Sequence, residues 1–218
     1  MACHSHSGWR ALPDDMPARH VMIELQNPEA FGSGYLSDFD GILDRFLPRD
    51  PAYIIEWGAG YSTAKLVSRL DRIGCRLFVT IEDNQEYLDT ILQKMGKRSW
   101  LRAVLANRVG PTVNQSDPEL AYSTIPLSFG VKFDFIYIDG RRRLECALTS
   151  ALLAHSESIV VLHDYRRARY QPIRALYDIV EDGPAFRVMR LRAELIRPFE
   201  DAGREIMHEL QESNRRER

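Results

Sequence analysis

The sequence predicts a doubly wound α/β fold: a mostly parallel, seven-stranded sheet with helices on both faces. Three observations predict it. Strand-like and helical stretches alternate five times along the 218 residues, the pattern of parallel strands joined by helical crossovers. The first strand runs directly into a glycine-punctuated turn, Glu56-Trp57-Gly58-Ala59-Gly60-Tyr61-Ser62-Thr63. And four of the five parallel strands end in acidic groups, a bias that core packing does not produce.

The elements follow in order. Residues 35–47 place Leu36, Phe39, Ile42, Leu43, Phe46 and Leu47 on one helical face, and Pro48 ends that helix. Tyr53 to Glu56 is the first strand and Thr63 to Leu70 the first crossover helix. Arg76 to Glu82 is a second strand rich in β-formers, followed by a helix from Gln85 to Met95. Leu101 to Ala106 is a short third strand. Residues 107–130 carry Gly110, Pro111, Asn114, Pro118, Pro126 and Gly130 without a strong period, and read as a long functional loop. Phe133 to Asp139 is the fourth strand, Leu144 to Ala154 a helix, and Ser158 to His163 the fifth strand. Tyr170 to Val180 reads as a further helix. Phe186 to Leu191 and Glu194 to Ile196 read as two short closing strands, and the tail from Glu200 has helical propensity.

A chain of this length fits one domain, residues 35–218, with residues 1–34 as a partly disordered N-terminal extension. The net charge of −2 calls for neither nucleic acid nor an anionic membrane as partner, and no apolar run approaches membrane-spanning length. The start of the chain is too polar for a signal peptide. Three scattered cysteines, Cys3, Cys75 and Cys146, suit a reducing, cytoplasmic compartment. Cys3, His4 and His6 form a short donor set with no second cluster to complete it, and read as a frayed terminus. Homo-oligomerisation is compatible with this composition.

In open α/β sheets ligands lie beyond the carboxyl ends of the strands. The candidate residues are therefore those just after each strand. Gly58 and Gly60 allow a tight turn and a close ligand approach, with Ala59 between them and Ser62 or Thr63 able to cap the following helix. Glu82 closes the second strand, 26 residues after Glu56, where a carboxylate can accept both hydrogen bonds of a ribose diol. Asp83 and Asn84 directly follow Glu82, and Asn107 follows the third strand. The third glycine that a dinucleotide fold uses against its pyrophosphate is absent, and Glu56 would repel a diphosphate but suit the ammonium of an amino acid.

This pattern resembles motif I of the class I S-adenosylmethionine-dependent methyltransferases, over roughly residues 53–197. The resemblance implies a Rossmann-like methyltransferase fold and S-adenosyl-L-methionine as cofactor, with Glu56, Gly58 and Gly60 at its methionine half, Glu82 at its ribose, Asp83 and Asn84 near its adenine, and Asn107 as a weaker candidate for the adenine edge. Phe133-Asp-Phe-Ile-Tyr-Ile-Asp139-Gly-Arg and Val160-Val-Leu-His163-Asp164-Tyr165 resemble the fourth- and fifth-strand motifs of small-molecule O-methyltransferases of the caffeoyl-CoA and macrolide-sugar types. That likeness implies a divalent cation, Mg²⁺, held by Asp139 and Asp164. It departs at the acidic pair usual after the fourth strand, where Arg141-Arg142-Arg143 stands instead.

The expected activity is methyl transfer to a small-molecule acceptor, through a hydroxyl. His163 is the first-choice base, because a histidine exchanges protons near neutral pH. Asp139 and Asp164 are the second choice, directly or through the metal; Asp139 equally suits a helix cap. Arg141 to Arg143, Arg166, Arg167 and Arg169 favour an anionic substrate if they point inward, and otherwise form solvated helix starts. Arg141, Tyr165 and Tyr122 are the substrate-contact candidates, with Phe129 beside Tyr122 as an apolar wall. The alternatives are a non-methylating use of the sulfonium, a module that only binds S-adenosyl ligands, and, less favoured, a nicotinamide-dependent oxidoreductase. No basic face or Asn/Asp-Pro-Pro-Tyr/Phe tetrapeptide supports nucleic-acid methylation.

Overall fold

The computed structural model describes residues 33–106 and 118–216. The segment 1–32, with Cys3, His4 and His6, and the segment 107–117, with Asn107, lie outside the described residues. The described elements are α1 (Ser33–Phe46), β1 (Ala52–Trp57), α2 (Tyr61–Ile73), β2 (Cys75–Glu82), α3 (Gln85–Met95), β3 (Leu101–Leu105), α4 (Pro118–Thr124), β4 (Phe135–Ile138), α5 (Arg143–Leu153), β5 (Ile159–His163), β6 (Tyr177–Asp182), β7 (Phe186–Leu191) and α6 (Ala193–Arg216). Two 3-10 segments, Ile125–Phe129 and Ala168–Ala175, precede β4 and β6.

The seven strands form one sheet in the order β3-β2-β1-β4-β5-β7-β6. β1 to β5 run parallel, and β7 lies antiparallel between β5 and β6. Both faces are covered, which explains the near-continuous apolar strands. Ile54 and Ile55 point to opposite faces and both are fully buried. Ile54, Phe78, Tyr137, Val161 and Phe186 pack beneath α1 and α2 through Phe39, Ile42, Leu43, Leu66 and Leu70. The other face buries Ile55, Trp57, Ile136 and Leu162 against α5 through Cys146, Ala147 and Ala151, with Tyr122 of α4 in the same cluster. No helix among the described residues is long and apolar enough to cross a membrane.

Three local expectations are corrected. Residues 170–180 are not a helix. Pro172 removes a backbone donor, only a 3-10 segment forms, and Tyr177 onward becomes the edge strand β6. The closing hairpin is therefore β6–β7. Glu194 to Ile196 begin α6 rather than a strand, turning Leu195, Ile196 and Phe199 onto the core. Part of the supposed loop 107–130 is ordered as α4 and a 3-10 segment, burying Tyr122 and Leu127.

The junction that positions the site is a contact between two backbones. Gly58 adopts φ +93°, and a Cβ there would lie 2.6 Å from the backbone of Gly140. The Gly140 and Asp139 amides both donate to the Trp57 carbonyl, at 2.7 and 3.0 Å. So the end of β1 and the end of β4 touch without an intervening side chain. We predict that Gly58→Ala costs more than about 2 kcal/mol of stability, because left-handed strain and a backbone clash add. Denaturant unfolding checks this; a loss below about 0.5 kcal/mol would refute the contact.

Candidate active site

The turn after β1 is built around Glu56. This carboxylate is fully buried and accepts hydrogen bonds from Ser62 Oγ, from Thr63 Oγ1 at 2.6 Å and from Thr80 Oγ1 at 2.9 Å. Thr63 Oγ1 also accepts from the Gly60 amide at 2.7 Å. Glu56 thus ties β1, β2 and the first turn of α2 together from below. The Ser62 hydroxyl, named with Glu56 as a cofactor contact from the sequence, is one of the three groups bonded to this carboxylate. Burial pushes Glu56 up to about 7; the three hydroxyls oppose that rise and the Asp139 charge adds to it.

At the end of β2, Glu82 is largely buried, and its Oε1 accepts from the amides of Asp83 and Asn84, each at 3.0 Å. Burial and the adjacent Asp83 carboxyl hold Glu82 well above the usual carboxylate range. Asn84 caps α3, its Oδ1 accepting from the Tyr87 amide at 3.0 Å, so that oxygen is engaged. Asp83 pairs with Arg141, Oδ2 to Nε at 2.8 Å. Arg141 therefore reaches from the end of β4 across β1 to the end of β2. Tyr122 lies beneath this bridge. Its ring is buried, a Cβ on Gly140 would fall 1.9 Å from its hydroxyl, and its carbonyl accepts from Trp57 Nε1 at 3.0 Å. The buried Ala59 completes the turn.

The ends of β4 and β5 bring together the three residues expected to meet there. His163 Nδ1 lies 2.5 Å from Asp139 Oδ1, and His163 Nε2 lies 3.8 Å from Asp164 Oδ1. A carboxylate only accepts, so this bond assigns the ring proton to Nδ1 and the basic lone pair to Nε2. Tyr137 Oη donates to Asp139 Oδ2 at 3.0 Å. The His163 ring packs on Phe186, centroids 4.9 Å apart.

Arg143 organises this corner. Its Nε donates to Gly140 O at 2.9 Å, Nη2 to Asp139 O at 2.9 Å, and Nη1 to His163 O at 2.6 Å. Nη2 also pairs with Asp139 Oδ1 at 3.0 Å, and Nη1 lies 3.5 Å from Asp164 Oδ2. Asp164 pairs in addition with Arg167 at 2.7 Å. A guanidinium thus stands between the two aspartates where the O-methyltransferase likeness implies Mg²⁺. The donor set does not fit that ion. Both carboxylates are committed to cations of the protein, and the described residues contain no cluster of three acidic, histidine or cysteine side chains suited to a metal. Backbone strain gathers here too. Arg142 and Asp164, after β4 and β5, are the two non-glycine residues with left-handed φ among those described, at 50° and 55°.

Tyr165 is turned away from this corner. Its ring is buried, its hydroxyl donates to Gly183 O at 3.1 Å, and Arg187 lies over it at 4.2 Å. Three groups were not singled out by sequence reasoning: Thr80, Tyr137, and Arg143 as a distinct member of the triple arginine. For Tyr137 a signal existed, since it lies two residues before Asp139 on the same strand face.

No protein-family model matches the chain, and no curated protein matches it. Solved structures do. A methyltransferase-like protein from Silicibacter pomeroyi superposes with TM-score 0.54 at 17% identity, over 75% of this chain and 93% of its own. Precorrin 8w decarboxylase from the Methanobacterium thermoautotrophicum genome gives TM-score 0.52 at 11% identity, over 72% and 90%. The N-methyltransferase NodS from Bradyrhizobium japonicum, solved with S-adenosyl-L-homocysteine, gives 0.51 at 13%, over 79% and 97%. At these identities the likeness is one of fold: a Rossmann-like α/β sheet shared with methyltransferases.

The buried Glu56 generates a pH prediction. The folded chain holds its proton up to about 7, while the unfolded chain releases it near the ordinary 4.5. The stability it contributes is complete below 4.5 and is lost as pH rises through 7, by about 3 kcal/mol. Glu56→Gln carries no such proton. The stability difference between wild type and variant should therefore shift towards the variant from pH 4.5 to 8. Chemical denaturation at several pH values tests this, and parallel curves would refute it.

Proposed function

We propose that this chain is an S-adenosyl-L-methionine-dependent methyltransferase acting on a hydroxyl of a small-molecule acceptor. One observation carries the reading: an Asp139–His163 pair, oriented as an acid–base unit, stands at the carboxyl edge of the sheet directly beside the glycine turn. The fold shared with methyltransferases supports it, as does the S-adenosyl-L-homocysteine bound by NodS. The net charge of −2 favours a small acceptor over nucleic acid.

The residues present fit the cofactor. Glu82 is fixed by two backbone amides through Oε1, which holds its carboxyl at the end of β2, where this reading puts the ribose diol. The Gly58–Ala59–Gly60 backbone passes without bulk, at the positive end of the thirteen-residue α2. Asp83 and Asn84 flank Glu82 on the adenine side. When bound, S-adenosyl-L-methionine supplies a methyl group already activated on a sulfonium. The protein's task is then alignment, exclusion of water and removal of one proton.

His163 Nε2 takes the proton from the acceptor hydroxyl. Asp139 holds the ring through Nδ1 and stabilises the imidazolium that forms. Tyr137 and Arg143 hold Asp139 in turn, so the base is set by a fixed shell rather than by one contact. A base so placed contributes about 10²–10⁴-fold.

S-adenosyl-L-homocysteine should bind, stabilise the fold by about 2.7 kcal/mol at 100-fold over its dissociation constant, and so raise the melting temperature. Calorimetry finding no binding would sink the proposal. Glu82→Ala should weaken that binding by roughly 10–100-fold, the range of a charged hydrogen-bond pair. In the wild type binding should tighten as pH rises, because Glu82 must shed its proton to accept the diol most strongly. A pH-independent affinity would remove Glu82 from the ribose site.

His163→Ala should retain cofactor affinity while methyl transfer to the acceptor falls by about 10²–10⁴-fold. Full turnover in that variant would eliminate His163 as the base.

A further inference from the structure

The segment after β5 carries more arginines than its carboxylates pair with directly, and Asp182 is shared between Arg187 and the fields of Arg174 and Arg166. Asp164 is taken by Arg167 and lies against Arg143. Asp182 is held by Arg187 through two bonds, 2.6 and 2.9 Å. Arg166 and Arg169 are both exposed, and neither makes an ion pair with a carboxylate among the described residues.

Each instead lies on an aromatic ring. Arg169 sits over Tyr170 at 4.9 Å, and Arg166 over Tyr165 at 5.7 Å, with its Nε donating to that hydroxyl at 3.3 Å. Both rings are buried. A guanidinium laid on a ring is oriented without being discharged, and the donors in its plane stay available for a planar or tetrahedral oxyanion.

The location ties Arg169 to the reaction centre, while Arg166, three residues earlier on the same segment, lies on Tyr165 within the field of Asp182. The Tyr170 ring carries a second guanidinium, Arg143, at 5.8 Å. Arg143 in turn bonds the Asp139 carboxylate and the His163 carbonyl. Arg169 is therefore separated from the Asp139–His163 unit by one ring and one side chain. Arg141, Arg142 and Arg167 are excluded from the role, since Asp83, Glu145 and Asp164 already pair with them.

We infer that Arg166 and Arg169 bind an oxyanion, the carboxylate or phosphate of the acceptor, so that the acceptor is a hydroxylated organic anion. The assignment of that anion to the acceptor rests on the methyltransferase reading; the anion site itself does not. Calorimetry on the full chain with phenyl phosphate, benzoate and phenol, with S-adenosyl-L-homocysteine titrated in parallel, tests both. Phenyl phosphate or benzoate should bind saturably and phenol should not; the tighter of the two anions identifies the source of the oxyanion.

The double variant Arg166→Gln/Arg169→Gln should raise the dissociation constant of the anion at least tenfold and leave that of S-adenosyl-L-homocysteine unchanged. Arg72→Gln, an exposed arginine on α2, should change neither. In the unaltered protein, anion affinity should fall as salt rises. Absence of anion binding, its independence of salt, or equal affinity in the double variant would each overturn the inference. Anion binding lost in the double variant, together with no S-adenosyl-L-homocysteine binding by the wild type, would keep the anion site and remove the methyltransferase reading.

Discussion

The closure of Gly58 against Gly140 is the constraint on which the site depends. Two parallel strands are held about 4.8 Å apart by their ladder, but the loops leaving them are normally kept further apart by side chains. Here neither loop has a Cβ at the crossing, and the Trp57 carbonyl takes two amides from the opposite strand. The glycine turn and the acid of β4 thus become one surface. Everything chemical in the site is referenced to that surface: Glu82 from one side, Asp139 and His163 from the other, with Arg141 bridging above to Asp83.

A second organising element is the pair of ionisable groups placed under the surface rather than on it. Glu56, on β1, gathers three hydroxyls from β2 and the first turn of α2, doing from below what a helix cap does from the end. Arg143 gathers three carbonyls and a carboxylate from the ends of β4 and β5. Buried ionisable groups are tolerated when their bonding capacity is filled, and both are nearly saturated. Because Arg143 brings its own positive charge, the aspartates around it are balanced by the protein itself.

The fold was legible in the sequence wherever periodicity and punctuation agreed. The first five strands and the helix Gln85–Met95 follow directly from apolar runs bounded by turn residues. The reading failed after Tyr170, where Tyr177, Ile179 and Glu181 alternate too briefly to outweigh a helical-looking composition, and β6 gains its identity only from pairing with β7. The site was legible in part. Strand-end position alone brought Asp139, His163 and Asp164 together. Direction was not legible: nothing in Glu56-Trp-Gly-Ala-Gly-Tyr-Ser-Thr tells whether the hydroxyls turn toward a ligand or toward the glutamate. Nor does a run of three arginines tell which of them is buried.

The placement of β7 between β5 and β6 governs how the sheet is closed at this edge. β6 precedes β7 in the chain, yet among the described residues β7 is its sole ladder partner. Until the chain has passed Leu191, β5 is an open apolar edge and Tyr177–Asp182 has nothing to pair with. β7 is thus the strand through which β6 joins the sheet, by a long-range pairing with β5. His163 stands opposite Phe186 in that last pairing. The ring on which the imidazole packs is therefore supplied by the antiparallel strand, so the base of the proposed reaction takes one wall from outside the parallel part of the sheet.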